Sequence, residues 1–319
     1  MKNDFRQFDG LLRTIRQFFY SENFTEIYPR VLNSSVPLEP TVYPFSLNWD
    51  TTVGVEQLFL ATSPERALKH ALAGGVGNCY AIGKSFRTIE APSDTHAPEF
   101  FMLEWYRKGA IWTDIMEDVE KLVTACCEGK TELDYQEKSI HCGLPWKRVS
   151  LIRLFREFAG CDLERLCDDS EMIRVCKSKG YKVDGASWEQ LFNQIFLNEI
   201  EPKIGDDPVF LIDFPARISP LCALQEKNEL FAQRFELYIG GMEIGNGNTE
   251  SSDTATIRRV FERERTLRLE KNMEAPRIDG DFLNSLEAMK GTSYAGVGIG
   301  IERLAMILWN RKTIGEIVP

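Results

Sequence analysis

Residues 86–106 (FRTIEAPSDTHAPEFFMLEWY) constrain the fold of this chain more than any other stretch. The run Cys79–Arg87 ahead of it alternates apolar and polar, and Phe100–Tyr106 returns with aromatic and β-forming residues, so both flanks read as strands. Two such strands with one connection predict an antiparallel hairpin. An ordinary hairpin turn is short and polar. This connection is long and carries Glu90, Asp94, His96 and Glu99, with Arg87 at its mouth. Read alone it is a decorated surface hairpin; the rest of the chain weighs against that.

Phe235–Glu250 predicts a second hairpin about a Gly240-Gly241 turn, flanked by Glu236 and Glu243. If these strands pair, the two carboxylates can face one site, as a hard cation bridging phosphates requires. The competing reading is two solvated strand acids. Near the C-terminus, Gly296, Gly298 and Gly300 alternate along a strand before a helix that carries Arg303. Glycines let a strand backbone approach a ligand closely, and their spacing is not that of a dinucleotide fingerprint. Upstream, Ser63-Pro64-Glu65 follows the strand Glu56–Thr62 with helix-start signals, and Gly74-Gly75 closes the helix. As a first-turn acid, Glu65 complements the helix dipole.

Three hundred and nineteen residues with 43% hydrophobic content are enough for a large core. No apolar run has the length of a membrane span and the N-terminus lacks a secretion signal. The eight cysteines form no C-x-x-C pair, and with three histidines they give no zinc framework. This composition predicts a cytoplasmic protein with reduced thiols. The net charge of -10 disfavours stable tRNA binding. The basic run Arg258–Arg268 is interleaved with Glu262 and Glu264 and reads as a solvated helix.

Residues 86–106 closely resemble motif 2 of the class II aminoacyl-tRNA synthetases, in the form found in lysyl-tRNA synthetases and their paralogues. Residues 21–35 resemble motif 1 and Ala295–Leu308 motif 3. The resemblance implies that Arg87 holds the α-phosphate and the substrate carboxylate. It places His96 near the γ-phosphate, Phe100 on the adenine, Glu90 beside the nucleotide, and Ile244 and Gly300 along it. Arg303 would face the γ-phosphate, and Glu236 and Glu243 would hold Mg²⁺ and ATP. Such residue types suit adenylate formation, in which charge builds on phosphate oxygens and a guanidinium can follow it bidentately. Ser63, Pro64, Glu65 and Glu104 would surround the substrate α-amino group. Tyr106, Asn246 and Glu250 would read a lysine side chain, with Gly298 bordering that pocket.

The resemblance covers almost the whole chain. It implies an α+β class II synthetase-like domain, an antiparallel sheet flanked by helices, over residues 1–319. A mainly helical insertion occupies about 131–207, no N-terminal anticodon-binding OB domain is expected, and the family assembles as homodimers. Size, acidity and the absence of that domain look like the elongation factor P–(R)-β-lysine ligases (the PoxA/GenX paralogues). Those enzymes use ATP and Mg²⁺ to adenylate lysine or β-lysine and pass it to a lysine of elongation factor P. Alternatives are ligation to tRNA or another carrier, or a non-catalytic lysine- and ATP-binding paralogue. Departures from the family pattern are a longer motif 2 loop, Ala97 in place of Asn, Asn248 in place of an aromatic, and Glu302 in place of Asp. Gly298 stands where the ligase paralogues tend to carry Ala.

Overall fold

The computed structural model describes residues 4–88 and 93–317. Its centre is an eight-stranded sheet: β1 (Thr25–Glu26), β2 (Cys79–Phe86), β3 (Glu99–Lys108), β4 (Lys147–Ser150), β5 (Val209–Ile212), β6 (Arg234–Ile239), β7 (Met242–Thr249) and β8 (Tyr294–Gly300). The order across it is β1-β2-β3-β8-β7-β6-β5-β4. The six central strands are antiparallel, as expected, whereas the edge strands β1 and β4 run parallel to their neighbours. Parallel edges arise because each edge strand is joined to its partner by a long crossover, not by a tight turn. The sheet is therefore mixed.

Ten helices flank it among the described residues: α1 (Asp4–Ser21), α2 (Glu65–Ala73), α3 (Trp112–Cys126), α4 (Leu151–Phe158), α5 (Leu163–Leu166), α6 (Asp169–Ser178), α7 (Trp188–Ile195), α8 (Thr254–Glu270), α9 (Gly280–Ala288) and α10 (Ile301–Leu308). The period-two pattern of the strands sorts their side chains onto two faces. Tyr80, Leu103, Trp105, Val297, Ile299, Leu237 and Phe235 point to one face and form the main core with α1, α3 and α10. Phe19 of α1 stacks on Tyr80, with ring centroids 4.3 Å apart. Cys126 and Cys127 are buried and unbridged.

The opposite face stays polar, and its register defines a floor. Ala81, Glu104, Gly298, Asn246 and Glu236 stand opposite one another across five consecutive strands. The next row holds Cys79, Tyr106, Gly296, Asn248 and Arg234. Small residues are needed there: a Cβ on Gly296 would lie 2.3 Å from the Tyr106 ring, while on the core face one on Gly245, opposite Leu237 and Ile299, would lie 2.3 Å from the Gly298 carbonyl oxygen.

The segment about 131–207 is mainly helical only from Leu151 onward. It opens with a two-stranded ribbon (Glu132–Tyr135 and Lys138–His141) and then β4, which completes the sheet. Its helices have their own core, in which Phe155, Phe192 and Phe196 stack successively, closed by Leu211 and Tyr238 of the sheet. Helix α8 also differs from the solvated helix expected, because Arg268 is only 1% exposed. It is held inside by Glu264, which takes its Nε, and by two backbone carbonyls, which take its Nη2, while Nη1 is left without a partner.

Gly245→Ala should lower stability by about 1–3 kcal/mol, since the added methyl has backbone, not a flexible side chain, in its way. Urea unfolding against the parent measures this. A change within error would show that β7 and β8 can separate freely.

Candidate active site

Two adjoining cavities lie on the polar face. The larger, about 470 Å³, is walled by Glu39, Glu65, Glu104, Tyr106, Arg234 and Asn246, among others. The smaller, about 170 Å³, is walled by His96, Phe100, Ile244, Gly300, Glu302 and Arg303, among others. Arg87, Met102, Glu243, Asn246 and Gly298 line both. Arg87 leaves the end of β2 at this junction, its Nε donating to the Thr62 carbonyl at 3.4 Å and its guanidinium 5.4 Å from the Phe100 ring centre. A Cβ on Gly298 would lie 3.2 Å from Met102 Sδ, so the glycine leaves room where the cavities meet.

At the smaller end, Arg303 enters from the first turn of α10. Its Nε donates to the Thr95 carbonyl at 3.1 Å and its Nη1 to the Glu243 carbonyl at 2.9 Å. Nη2 lies 2.7 Å from His96 Nε2, which must accept, so Nδ1 carries the proton towards Ser93 Oγ at 2.8 Å. Glu302 accepts the Phe101 amide with both oxygens, at 2.8 and 3.0 Å, and so joins α10 to β3. The longer acid thus performs a structural role here, and burial raises its pKa to about 7. Glu90 lies outside the described residues.

At the larger end the carboxylates crowd together. Ser63 Oγ accepts the Glu65 amide at 3.1 Å, which starts α2 one residue later than Ser63 as cap would have placed it. Pro64 packs with Pro29 against Gly83, where a Cβ would meet both prolines at 3.1 Å. Lys69 follows Glu65 by one helical turn, is fully buried, and sets Nζ 2.5 Å from Glu65 Oε1 and 2.7 Å from Glu250 Oε2. Burial works against its charge, but Glu250 and Glu65 outweigh burial and hold the ammonium well protonated. Glu250 was expected to await an external ammonium. It already has an internal one, and only its Oε1, 3.3 Å from Asn248 Nδ2, is not held by Lys69. Glu104 accepts from the Tyr106 hydroxyl at 2.7 Å, and burial together with Glu65 pushes its pKa up to about 8.

On the other side of the floor, Glu236 pairs with Arg234 at 2.7 Å. Burial and the neighbouring Glu243 raise its pKa to about 8. Glu201, which also feels Glu243, accepts from the Tyr238 hydroxyl at 3.2 Å. Among the described residues no group of three His, Cys, Asp or Glu is close enough to hold a metal alone. Glu236 and Glu243 nevertheless fit a divalent cation that takes its other ligands from phosphate and water, since a buried carboxylate and a half-buried one that repel each other gain from such a charge.

The expected residues therefore line one cavity or the other apart from Glu90, Pro64, which packs against Gly83, and Glu250, which is tied to Glu65 through Lys69, and sequence reasoning missed several others. Lys69 was visible as an i, i+4 partner of Glu65. Arg234 was visible as a same-face neighbour of Glu236 two residues away. Glu39 and the wall from α7, with Glu189, Phe192 and Phe196, gave no local signal.

Lys69→Met should destabilise the protein by roughly 3–5 kcal/mol near neutral pH, because Glu65 and Glu250 lose their buried counter-charge. Urea unfolding should show the deficit shrinking towards pH 5 as Glu250, whose pKa burial raises, protonates; a pH-independent loss would indicate packing alone.

Glu104 and Glu236 carry a second prediction. Their folded pKa values of about 8 exceed the ordinary 4.5, so the fold favours their neutral forms. Their contribution is fully present below the unfolded pKa and is lost as pH rises through the folded values. The Tm of the free protein should fall between about pH 5 and pH 8.5, and replacing both by Gln should flatten that slope. An unchanged slope would contradict the assignment.

The family described as "tRNA synthetases class II (D, K and N)" matches residues 1–319. A lysine–tRNA ligase of Carboxydothermus hydrogenoformans is 31% identical over 312 residues, covering 97% of this chain and 63% of the relative. One from Clostridium perfringens is 30% identical over 326 residues, covering 100% and 64%. One from Prochlorococcus marinus is 33% identical over 317 residues, covering 96% and 60%. The chain thus spans less than two thirds of the length of these relatives. With its full length matched, the chain belongs to the class II tRNA synthetase family.

Proposed function

We propose that this protein activates lysine, or its β-isomer, with ATP and Mg²⁺ as an aminoacyl-adenylate and transfers it to a lysine of elongation factor P. The observation that carries the reading is Arg87 at the junction of the two cavities, with acids at one end and Arg303 and His96 at the other. An amino acid with two ammonium groups suits the first end and a nucleotide triphosphate the second. Arg87 then touches the substrate carboxylate and the α-phosphate together. The adenylate forms when a carboxylate oxygen attacks the α-phosphorus and the bond to pyrophosphate breaks. Arg87 and Arg303 neutralise the charge that accumulates on attacked and leaving groups, and positioning supplies most of the rest. Phe100 stacks on adenine, with Ile244 and Gly300 along the nucleotide. Glu236 and Glu243 hold the cation, whose contribution is to neutralise phosphate charge. Glu65 and Glu104, beside Ser63 and Pro64, take the α-amino group. Glu250 Oε1, Asn246 and Tyr106 face the distal ammonium, and Gly298 leaves space beside them.

The acceptor rests on different support. A net charge of -10 does not suit a polyanion, which favours a protein acceptor. The relatives are lysine–tRNA ligases, which favours tRNA as the second reading. We further propose a homodimer and a single catalytic domain. Among the described residues no helix is long and apolar enough to cross a membrane.

Lysine-dependent ATP–pyrophosphate exchange should fall at least about 100-fold in Arg87→Ala, the effect of losing one charge-stabilising donor. A normal rate in that variant would refute the site assignment. Intact-mass measurement after incubation with ATP, Mg²⁺ and each lysine isomer should show elongation factor P gaining one lysyl unit. Exchange with no such gain, and charging of tRNA instead, would replace the acceptor.

A further inference from the structure

Glu39 is absent from every motif of this chain, yet it lines the larger cavity beside Glu65, Glu104 and Arg87. Its position is tightly determined. Residues Ser35 to Leu38 before it are buried, and the turn after it carries Thr41 at φ 65°. The guanidinium of Arg268 reaches this turn from α8, donating through Nη2 to the Glu39 carbonyl at 2.7 Å and the Val42 carbonyl at 2.9 Å. The same guanidinium lies 4.7 Å from the Tyr43 ring centre, with Nε held by Glu264 at 2.7 Å. The Tyr43 carbonyl in turn accepts the Thr88 amide at 2.9 Å, so the turn is also bound to the Arg87 end of β2.

A buried arginine on one side and a strand end on the other thus fix the backbone, and the Glu39 side chain emerges into the cleft. Its neighbours at this end have partners: Glu104 has Tyr106, while Glu65 and Glu250 have Lys69. Among the described residues the Glu39 carboxylate makes no hydrogen bond or ion pair. A carboxylate held in a cleft without a partner is costly unless a ligand supplies one. Because Arg87 is among the charges it faces, the ligand group in its reach is the ammonium adjacent to the carboxylate that Arg87 would hold.

We propose that Glu39 is a specificity-determining residue whose carboxylate binds the substrate's ammonium group next to its carboxylate, with Arg268 as the residue that positions it. This rests on the amino-acid-activating reading given above. It makes the site selective for amino acids over the corresponding deaminated acids, in addition to its selectivity for a distal cation. The groups facing Glu39 are Glu65 and Lys69 of α2, Arg87, Glu104 of β3 and Arg234 of β6. Burial and Glu65 raise its pKa to about 7, so its ammonium site fills as pH rises through neutrality.

The test compares binding of lysine and of ε-aminocaproate, which is lysine without its α-amino group, by calorimetry on the intact protein, with ATP binding measured in parallel. The unmodified protein should prefer lysine. Glu39→Gln should weaken lysine roughly 10- to 100-fold, the value of one charge-assisted hydrogen bond, and leave ε-aminocaproate and ATP affinities in place. It should also lessen the gain in lysine affinity between pH 6 and pH 8. Arg268→Met should show the same loss of preference, and Arg268→Lys should recover part of it. An unchanged lysine preference in Glu39→Gln, with lysine-dependent exchange intact in the parent, would overturn the role of Glu39 alone. A parent that binds neither compound would overturn both this role and the underlying reading. Should Glu39→Gln fail to bind ATP, Glu39→Asp decides: retraction of the same charge should reduce the preference, and full retention overturns the proposal.

Discussion

The ammonium of Lys69 between Glu65 and Glu250 is the interaction on which the arrangement of the site depends. It joins the first turn of α2 to the residue immediately after β7, elements almost two hundred residues apart in sequence. Two carboxylates this deeply placed would repel each other and lose hydration, and each would then favour its neutral form. With Lys69 between them, one oxygen of each is fixed, and Asn248 takes the other oxygen of Glu250. Buried ion pairs seldom add much net stability, because desolvation offsets their attraction. Their value here is geometric: they fix where two acids stand before any substrate arrives, which is the form of preorganisation that recognition rewards.

That fixed point is useful only because the sheet beneath it is exact in register. Glu104, Gly298, Asn246 and Glu236 come from four different strands yet form one row. Alternation then divides the sheet into an apolar face packed by α1, α3 and α10 and a polar face open to the cleft. Gly296 leaves no space for a Cβ beside Tyr106, and Gly298 keeps room beside Met102 where the two cavities join. Glu65 and Glu104 gather towards α2, Glu236 and Glu243 stand on the other side of the floor, and the guanidinium and imidazole of Arg303 and His96 lie towards α10, with Arg87 where the cavities meet.

Much of this was legible in the sequence. The hairpins, the helix starts and the order of the charged residues come from local rules of alternation, capping and turn chemistry, and those rules operate over a few residues. The Gly240-Gly241 turn, for example, has φ of 63° and 74°, the left-handed values that two glycines allow. The features that escaped have non-local causes. Arg268 lies on a helix face whose pattern of alternating charge looks solvated, and only the Glu39–Val42 carbonyls bring it inside. Glu39 lacks a motif because its importance comes from the turn that Arg268 and Thr88 hold in place. The strands at the start of the insertion escaped for a similar reason: β4 is short and becomes a strand by pairing with β5, some sixty residues downstream.

The insertion also does more than fill the gap between strands. Helix α7 runs into a single wide π-turn, Phe196–Ile200, before the short turn Glu201–Lys203. A wide turn adds a residue to the helix and so rotates the succeeding residues by about 100°. Phe192 and Phe196, one turn apart, stack in the local core and on the cavity wall, and Glu201 beyond the wide turn reaches the Tyr238 hydroxyl, facing Glu243. A continuous α-helix would have carried that acid away from the sheet. The insertion thereby closes the larger cavity with aromatic side chains and adds negative charge beside Glu236 and Glu243, so the pair proposed to hold a cation sits in a more strongly cation-seeking environment than the hairpin alone would create.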